Sequence, residues 1–298
     1  MRAKPSRGRP CSQQTFEVLD YDLDATLASG QVFRWKQIDG RWEGVVGRHW
    51  TRLTKTPRGI VANTFEEVTD WSWLSDYLQT GVQLAPILAT FPEDRALRDA
   101  MSYCQGLRLL RQDPWECLAS FLLSSSKQIV QIQQIVALLC ERWGEEIPAP
   151  PDRSRAFAFP SADRIAGCSE RELRNCKMGF RAPYLKATAT MIADGVINLR
   201  TLADAPVEQA RDTLMKLPGV GRKIADCVLL FAYGYSAVFP IDVWVARSLR
   251  EDYFSGREMK LDRLIEFAAE HFGPNAGYAQ QYLFHRKRSA ALTLRTAV

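Results

Sequence analysis

The sequence predicts an α+β protein, with an N-terminal antiparallel β-sheet domain followed by a mostly α-helical domain. Short β-prone runs separated by turn residues extend from Thr15 to about Ala62, and helical periodicity begins after about Phe65. The 298 residues are enough for roughly two domains. Hydrophobic residues make up 46% and charged residues 24% of the chain, a composition typical of a globular protein with a sizeable core rather than of a disordered chain.

Residues 1–14 are expected to form a flexible basic tail, and residues 15–105 the sheet domain. Within this domain, Asp39-Gly40 is a dipeptide that favours a tight β-hairpin turn. Because β-prone segments flank it and continue beyond it, we expect an antiparallel meander with one covered face. The predicted strands are Gln31–Trp35, Trp42–Val46, Trp50–Leu53 and Gly59–Ala62.

Residues 106–288 are predicted to form the helical domain, and residues 289–298 a tail. Pro114 suits the first turn of a helix, where its missing N–H is not needed. Ser124–Ser126 interrupts that helix, and a hydroxyl there is expected to cap the next one. The predicted helices cover residues 93–104, 115–123, 127–143, 161–177, 182–194, 206–216, 222–233, 242–253, 260–271 and 276–287.

Charge, cysteine usage and hydropathy narrow the classes of function. Lys and Arg outnumber Asp and Glu by 39 to 34, a formal net charge of +5, which permits a polyanionic partner without requiring one. The seven cysteines include no pair with two-residue spacing, so we expect reduced thiols, no protein-held metal and no cofactor. No apolar run approaches the roughly 20 residues of a membrane span, and the N-terminus lacks the apolar stretch of a secretory signal. We therefore expect an intracellular protein without a membrane partner.

The most informative segment runs from Leu217 to Cys227. One predicted helix ends before it and the next begins within it, and Gly219 and Gly221 allow a sharp turn and a close backbone approach. With Val220 they form a hairpin, and the N–H groups that open the second helix favour a phosphate. This pattern indicates a helix–hairpin–helix that holds the DNA backbone. An ordinary corner between two helices is the alternative.

Lys223 lies in the first turn of the second helix and is followed by Ile224 and the apolar run Val228–Ala232. The positive end of the helix dipole and the apolar surroundings both disfavour an ammonium there, which favours a neutral, nucleophilic amine. A phosphate-contacting or solvated lysine is the alternative. Downstream, Asp242 is expected to be the N-cap of another helix, and its carboxylate could also stabilise positive charge that develops on a sugar.

The motif Leu217-Pro-Gly-Val-Gly-x-Lys, followed by Pro240-Ile-Asp242, resembles the helix–hairpin–helix DNA glycosylase superfamily. Within it, the chain is most similar to the eukaryotic type of 8-oxoguanine DNA glycosylase/AP lyase. The resemblance extends from roughly Thr15 to Phe284. Within this range, the segments that carry the resemblance besides the hairpin are Ser29–Trp35, Gly106–Pro114, Gly179–Ala182 and Gly273–Pro274.

This resemblance implies a two-step reaction on a damaged nucleotide. Lys223 would attack C1′, expel the base and hold the sugar as a Schiff base, and β-elimination would then nick the strand. Asp242 would stabilise the oxocarbenium-like transition state and orient the amine. The base must first leave the stack, at a cost on the order of a few kcal/mol, and must enter a pocket.

The resemblance also implies which residues form the base pocket. Gly30 matches a glycine whose carbonyl accepts the N7–H that only oxidised guanine has. Gln280 and Phe284 match a glutamine at the Watson–Crick edge and an aromatic ring on the base, and their spacing places both on one face of a helix. Cys227 matches a cysteine beneath the base. Without the family context, Gly30 would be a turn residue, Phe284 a core residue and Cys227 a buried thiol.

The positions that face the opposite strand depart from the family pattern. Ser126, Lys127 and Gln128 replace an asparagine cluster whose first member contacts the cytosine opposite the lesion. Gln131 replaces an arginine that reads the same cytosine. The Ser126 hydroxyl and the neutral Gln131 amide cannot reproduce those contacts, so we expect a relaxed preference for cytosine. The alternative is that Lys127 or Gln128 reaches the same base edge and compensates.

Three further residues are expected to contact DNA. Phe180 matches an aromatic wedge, Arg181 matches the remaining cytosine-reading arginine, and Trp244 occupies a position where a histidine is usual. The resemblance thus supports recognition of the lesion more strongly than discrimination of the opposite base.

Three other functions fit part of this pattern. An alkylpurine glycosylase of the same superfamily would lack the hairpin lysine, and an endonuclease III-like enzyme would carry a cysteine cluster beyond Cys227. A non-catalytic helix–hairpin–helix protein would use the hairpin only as a phosphate clamp. We expect a monomer that acts on double-stranded DNA containing oxidised guanine, in the nucleus of a eukaryote or in the cytoplasm of a bacterium.

Overall fold

Short β-prone segments assemble into a five-stranded antiparallel sheet near the N-terminus. The computed structural model describes residues 12–125 and 127–296, with the backbone alone for 292–296. The strands are β1 (Ser12–Glu17), β2 (Lys36–Ile38), β3 (Arg41–Val46), β4 (His49–Thr56) and β5 (Gly59–Thr64), and a separate ladder pairs β6 (Glu146–Ile147) with β7 (Ala156–Phe157). The order in the larger sheet is β1-β5-β4-β3-β2, which confirms the predicted antiparallel meander.

The turn between β2 and β3 is the predicted one. Asp39 and Gly40 have φ values of 50° and 72°, as a two-residue hairpin of type I′ requires. The preceding segment Gln31–Trp35 is not a strand, contrary to the prediction. Four of its five side chains are buried, all but that of Arg34, whereas a strand on one face of a sheet would bury every second one.

The first strand corrects part of the predicted N-terminal tail. Residues 1–11 lie outside the described residues, but Ser12–Glu17 pairs along its whole length with β5, from Ser12 opposite Thr64 to Glu17 opposite Gly59. Half-buried and exposed residues alternate along it, as expected for a strand at the edge of a sheet. The end of the predicted tail at residue 14 is therefore wrong.

Helices form most of the remaining chain, and those predicted from the sequence are present with shifted ends or internal breaks. None of the helices in the described parts of the chain has the length and hydropathy of a membrane crossing. The helices are α1 (Leu23–Ala28), α2 (Ser72–Leu78), α3 (Leu84–Leu88), α4 (Arg95–Tyr103), α5 (Pro114–Leu122), α6 (Ile129–Trp143), α7 (Ala162–Ala166), α8 (Glu170–Leu173), α9 (Ala182–Ala193), α10 (Val207–Met215), α11 (Arg222–Val228), α12 (Val243–Tyr253), α13 (Leu261–His271) and α14 (Ala276–Thr296).

Two predicted helices contain local rearrangements. The segment 161–177 is divided because Ser169 caps a new helix, α8, by accepting a hydrogen bond from the Glu172 N–H at 3.2 Å. The segment 222–233 consists of α11 followed by a π-helical turn over Leu229–Tyr233. That turn ends at Gly234, whose φ of 78° is in the left-handed region that favours glycine.

The start of α6 differs from the prediction that a serine hydroxyl caps it. Its N-cap is Gln128, and the Oε1 of Gln131 accepts a hydrogen bond from the Gln128 N–H at 3.1 Å. The helix thus begins beyond the serine segment, in which Ser126 lies outside the described residues. An amide of the helix itself, rather than a preceding hydroxyl, satisfies this N–H.

The predicted tail at residues 289–298 is also wrong for most of its length. Helix α14 continues to Thr296, well beyond the predicted end of the helical domain at residue 288. The extension is rich in Ala and Leu and contains neither Gly nor Pro, so no residue in it stops the helix.

The chain forms two compact units that are both discontinuous in sequence. One contains β1, Phe33–Gly81 and Leu123–Val196, and the other contains Asp20–Val32, Val82–Leu122 and the chain from Ile197 onwards. The predicted boundary between residues 105 and 106 matches neither unit, because the chain leaves the sheet after β1 and returns to it. As a result, the loop that carries Gly30 belongs to the unit that carries the glycine hairpin.

Gln31 is fully buried in this second unit, and both ends of its side-chain amide are hydrogen-bonded. Its Nε2 donates to the carbonyls of Thr26 at 3.0 Å and Arg108 at 2.9 Å. Its Oε1 accepts from the Leu110 N–H at 2.8 Å, and Gln112 Nε2 donates to the Gln31 carbonyl at 2.7 Å. The amide thus joins the loop after α1 to the extended segment before α5.

Replacing Gln31 with Leu should lower the free energy of unfolding by about 3 kcal/mol or more, because buried backbone groups left without a partner cost about 1–3 kcal/mol each. Urea denaturation measures the loss. The matched control is Gln37→Leu at an exposed position of β2, which should change stability by less than about 0.5 kcal/mol. Equal losses in the two variants would contradict a supporting role for the buried amide.

Candidate active site

The predicted hairpin connects α10 to α11. Gly219 has a φ of 78°, in the left-handed region, and the Val220 N–H closes the turn on the Leu217 carbonyl at 3.1 Å. Gly221 is the N-cap of α11 and has an ordinary φ of −95°. A Cβ at Gly221 would meet nothing within 4 Å, so this glycine is not required by the fold. It instead leaves the exposed start of the helix open to a close external partner, such as a phosphate.

A buried ion pair fixes the two helices on either side of the hairpin. Arg211 of α10 donates from Nε to Asp226 Oδ1 of α11 at 2.6 Å, and both residues are almost fully buried. Burial raises the pKa of the Asp226 carboxyl, and the Arg211 guanidinium acts in the opposite direction. Because a charge left unpaired here would be costly, the pair holds α10 and α11 in one arrangement.

Lys223 is half-buried in the first turn of α11. Its Nζ lies 5.4 Å from the centroid of the Phe121 ring, which in turn stacks on Phe231 at 5.5 Å between centroids. The face of an aromatic ring attracts the ammonium form of a lysine through the ring quadrupole. Phe121 is far from the hairpin in sequence, and no local pattern predicted this contact.

Cys227 lies one turn beyond Lys223 and is buried. Burial raises the pKa of the Cys227 thiol to about 12, and the positive charge of Lys223 offsets this only in part. Since the thiolate is the reactive form, the group stays protonated and unreactive near neutral pH. Cys227 can therefore shape an apolar pocket but is not a candidate nucleophile.

Asp242 is the N-cap of α12, as predicted. Its Oδ1 accepts hydrogen bonds from the Trp244 N–H at 3.0 Å and from the Val245 N–H at 2.8 Å. Burial raises the pKa of the Asp242 carboxyl, while the Val245 N–H and the charge of Lys223 act in the opposite direction. The carboxylate and the amine therefore lie within electrostatic reach of each other.

The predicted base-pocket residues of helix α14 belong to the same unit as the hairpin. Gln280 is 4% exposed, and its Oε1 has no hydrogen-bond partner in the described structure, which is unusual for a buried amide. Phe284, one turn further along the same face, is half-buried. The neighbouring Gln281 donates from Nε2 to the Ser29 carbonyl at 3.0 Å. This bond ties α14 to the loop in which Gly30 adopts a φ of 79°.

The second unit thus contains the predicted catalytic, base-pocket and hairpin residues together with Trp244, whose ring lies 5.6 Å from the Arg247 guanidinium. Lys127, Gln131, Phe180 and Arg181 belong to the other unit, and Ser126 lies outside the described residues.

Arg181, which is expected to read the opposite cytosine, is already engaged by neighbouring residues, among them the predicted wedge Phe180. Phe180 is 57% exposed, and it follows a segment in which Lys177 and Gly179 both have positive φ. The Arg181 guanidinium lies 4.3 Å from the Phe180 ring centroid and donates from Nη1 to the Met178 carbonyl at 3.3 Å. Its side chain is buried, and burial lowers the pKa of Arg181.

Comparisons with known proteins identify the family of this chain. Residues 15–118 match the family described as 8-oxoguanine DNA glycosylase, N-terminal domain, and residues 119–274 match the HhH-GPD superfamily of base excision DNA repair proteins. The chain is 31% identical to the N-glycosylase/DNA lyase OGG1 of Arabidopsis thaliana, over 91% of this chain and 79% of that protein. It is 28% identical to a protein of Methanothermobacter thermautotrophicus named "Probable N-glycosylase/DNA lyase", over 92% of this chain and 96% of the relative.

Among solved structures, the 8-oxoguanine glycosylase/lyase of Clostridium acetobutylicum, bound to double-stranded DNA with cytosine opposite 8-oxoguanine, is similar with a TM-score of 0.86. The identity is 28%, and the alignment covers 91% of this chain and 93% of that one. The chain belongs to the HhH-GPD superfamily of base excision DNA repair proteins, in the family of N-glycosylase/DNA lyases with the 8-oxoguanine DNA glycosylase N-terminal domain.

Proposed function

We propose that this protein is a bifunctional DNA glycosylase and AP lyase that excises 8-oxoguanine from double-stranded DNA and acts as a monomer. The observation that carries the proposal is the pairing of an amine and a carboxylate, Lys223 and Asp242, within electrostatic reach in the unit that also holds the hairpin. Neither a phosphate clamp nor a monofunctional alkylpurine glycosylase needs this amine.

Lys223 is the proposed nucleophile. Its neutral amine attacks C1′ as the N-glycosidic bond breaks, and the base leaves with the bonding electrons and takes up a proton. Ring opening of the sugar gives a Schiff base between Nζ and C1′. Loss of a proton from C2′ then expels the 3′ phosphate by β-elimination, and water releases the lysine. Asp242, in its ionised form, stabilises the positive charge that develops on the sugar.

The proposed base pocket uses groups with free hydrogen-bonding capacity or apolar surface. The Gly30 carbonyl accepts the N7–H of 8-oxoguanine, the Gln280 amide meets the Watson–Crick edge, and the Phe284 ring stacks on the base. Cys227, kept as a neutral thiol by burial, packs beneath it. The unpartnered Oε1 of Gln280 supports this assignment, because a bound base would satisfy it.

Two further DNA contacts are proposed, one at the hairpin and one at Phe180. Gly219, Val220 and Gly221 hold a phosphate at the start of α11, where the backbone is open. Phe180 fills the gap left by the extruded base, as its exposed ring allows.

Lys127, Gln131, Arg181 and Trp244 are proposed as weaker contacts to the opposite strand or the backbone, together with Ser126. Gln131 already uses its Oε1 at the start of α6, and Arg181 is stacked on Phe180. Contact with a base edge would require these side chains to give up the partners they have.

Lys223→Gln should abolish the covalent intermediate, because an amide cannot form a Schiff base. The measurement is borohydride trapping on a duplex that contains 8-oxoguanine, read on a denaturing gel beside strand scission. The matched control is Lys216→Gln, an exposed lysine before the hairpin, which should form the adduct at the wild-type level. An undiminished adduct in Lys223→Gln would assign the amine to another residue.

Asp242→Asn should slow base excision by about 100-fold or more while binding to an abasic-site analogue stays nearly unchanged, because the charge acts in the transition state. Asn is an equally good N-cap, so α12 should stay intact. Asp22→Asn is the control, since Asp22 is the N-cap of α1 and accepts a hydrogen bond from the Ala25 N–H; it should excise the base at the wild-type rate.

The pH profile gives a second measure of Asp242. Because burial raises its pKa above the ordinary aspartate range, excision by the wild type should fall as the pH is lowered through that raised value. Asp242→Asn should lose this acidic limb. Equal losses in binding and rate, with the limb retained, would assign Asp242 a structural role alone.

The preference for the base opposite the lesion should be weak. A good bidentate contact provides about 1–3 kcal/mol of discrimination, and Gln131 cannot supply the charged fork of an arginine. Single-turnover rates opposite T, G and A should therefore lie within about tenfold of the rate opposite C. A strict requirement for cytosine would contradict this expectation.

A further inference from the structure

One face of α14 continues beyond the two predicted base-pocket residues. Gln280, Phe284 and Arg288 follow one another at intervals of four, so all three lie on the same face, and Arg288 is about 12 Å from Gln280 along the helix axis. Gln280 is buried, whereas Phe284 and Arg288 are half-buried. This face therefore leads from the interior towards the surface, and Arg288 occupies its outer end.

Arg288 also contacts the loop that carries Gly30. Its Nη1 donates to the Ala28 carbonyl at 3.2 Å, at the end of α1 and two residues before Gly30. A guanidinium has five N–H donors, and among the residues that the structure describes only this one acceptor is hydrogen-bonded to it. Arg288 thus links α14 to the Gly30 loop, the two elements proposed to hold the base, through a hydrogen bond at their exposed rim.

Arg288 differs from the two basic residues before it in forming no ion pair with a carboxylate among the side chains that the structure describes. Its neighbours Arg286 and Lys287 form ion pairs with Asp99 and Glu251, but within residues 12–125 and 127–291 no carboxylate lies in ion-pair distance of Arg288. Its neutral neighbour His285, whose pKa burial lowers to about 4, adds no positive charge at physiological pH.

The charge of Arg288 interacts with Asp242, one of the two predicted catalytic residues. Burial lowers the pKa of Arg288, and the carboxylate of Asp242 acts in the opposite direction, so the two groups lie within electrostatic reach. Asp242 is in turn within reach of Lys223. The Arg288 guanidinium is therefore within electrostatic reach of the Asp242 carboxylate, which is itself within reach of the Lys223 amine.

We propose that Arg288 binds a phosphodiester that flanks the extruded nucleotide, and so positions its sugar between Lys223 and Asp242. This inference rests on the proposed glycosylase function. A nucleotide whose base contacts Phe284 and whose C1′ lies at Lys223 has its flanking phosphates only a few bonds away, at the rim where Arg288 stands. A planar guanidinium fits a phosphate in a bidentate manner.

The proposed contact forms only when the nucleotide has left the stack. It therefore favours the extruded state over the stacked one, and it keeps the sugar close to the amine during the reaction. In this respect Arg288 differs from the hairpin, whose phosphate contact is available on any duplex. Arg288 is a positioning residue that holds the substrate and takes no part in bond making.

The test measures whether the effect of removing the Arg288 side chain depends on the charge of one particular phosphate. Duplexes with an abasic-site analogue carry a neutral methylphosphonate on the 5′ or the 3′ side of the analogue, and affinities are measured for wild type and Arg288→Met. At one of the two positions the methylphosphonate should weaken wild-type binding by roughly tenfold to a hundredfold. Arg288→Met should lose the same factor on the natural backbone and lose nothing more on the neutral one. Independent losses that multiply at both positions would overturn the proposal.

The matched control is Arg286→Met, which removes the same charge from the same helix but from a side chain paired with Asp99. It should respond to the methylphosphonates as the wild type does. The salt dependence adds a second readout: Arg288→Met should reduce the slope of log affinity against log salt by about 0.9 on the abasic duplex and leave it unchanged on undamaged DNA. Equal reductions on both duplexes would overturn the proposal.

Two further results separate the possible failures. If Arg288→Met does not fold, Arg288→Lys retains the charge and should keep a smaller but measurable coupling to the same phosphate; no coupling would overturn the inference. If the wild type neither excises 8-oxoguanine nor forms a borohydride adduct, the proposed function fails. Wild-type excision without coupling to either phosphate overturns only the role of Arg288.

Discussion

The position of the Gly30 loop depends on buried side-chain amides. The loop has no regular backbone pairing of its own, and a buried backbone group without a partner is costly. The Gln31 amide hydrogen-bonds backbone groups of the segment before α5, both a carbonyl and an N–H. Gln281 donates to the Ser29 carbonyl just before Gly30. Because the Gln31 amide reaches from the loop to the segment before α5 and the Gln281 amide reaches from α14 to the loop, the loop is held in one place relative to the face that carries Gln280.

The two predicted catalytic residues, Lys223 and Asp242, depend on charged groups that are partly or fully buried. The Arg211–Asp226 pair fixes α10 against α11 and so places Lys223 over Phe121. Burial raises the pKa of Asp242, and the backbone N–H groups of α12 with the charge of Lys223 counteract it. A carboxylate that accepts hydrogen bonds from fixed backbone N–H groups is already arranged, in its ionised form, for positive charge that develops on a sugar.

Helix α14 connects the two halves. One face carries Gln280 and Phe284 towards the proposed base pocket, while Gln281, the next residue, bonds to the loop. The helix extends to Thr296, so the pocket face has a further turn that ends in Arg288. The residues proposed to recognise the base and the residue proposed to position its sugar thus lie on one helix. Because the helix is rigid, these side chains cannot shift far relative to one another.

Local sequence patterns determined the hairpin at Gly219, the cap at Asp242, the turn at Asp39-Gly40 and the shared face of Gln280 and Phe284. Each depends on backbone sterics or helical spacing within a few residues, which the sequence states directly. Only the tertiary structure decided that Gly30 joins the helical unit, that Phe121 lies under Lys223, and that Arg181 and Gln131 are engaged within their own unit. These contacts follow from burial and hydrogen-bond satisfaction, often between residues far apart in the chain, and no local pattern records which distant partner will satisfy a given group.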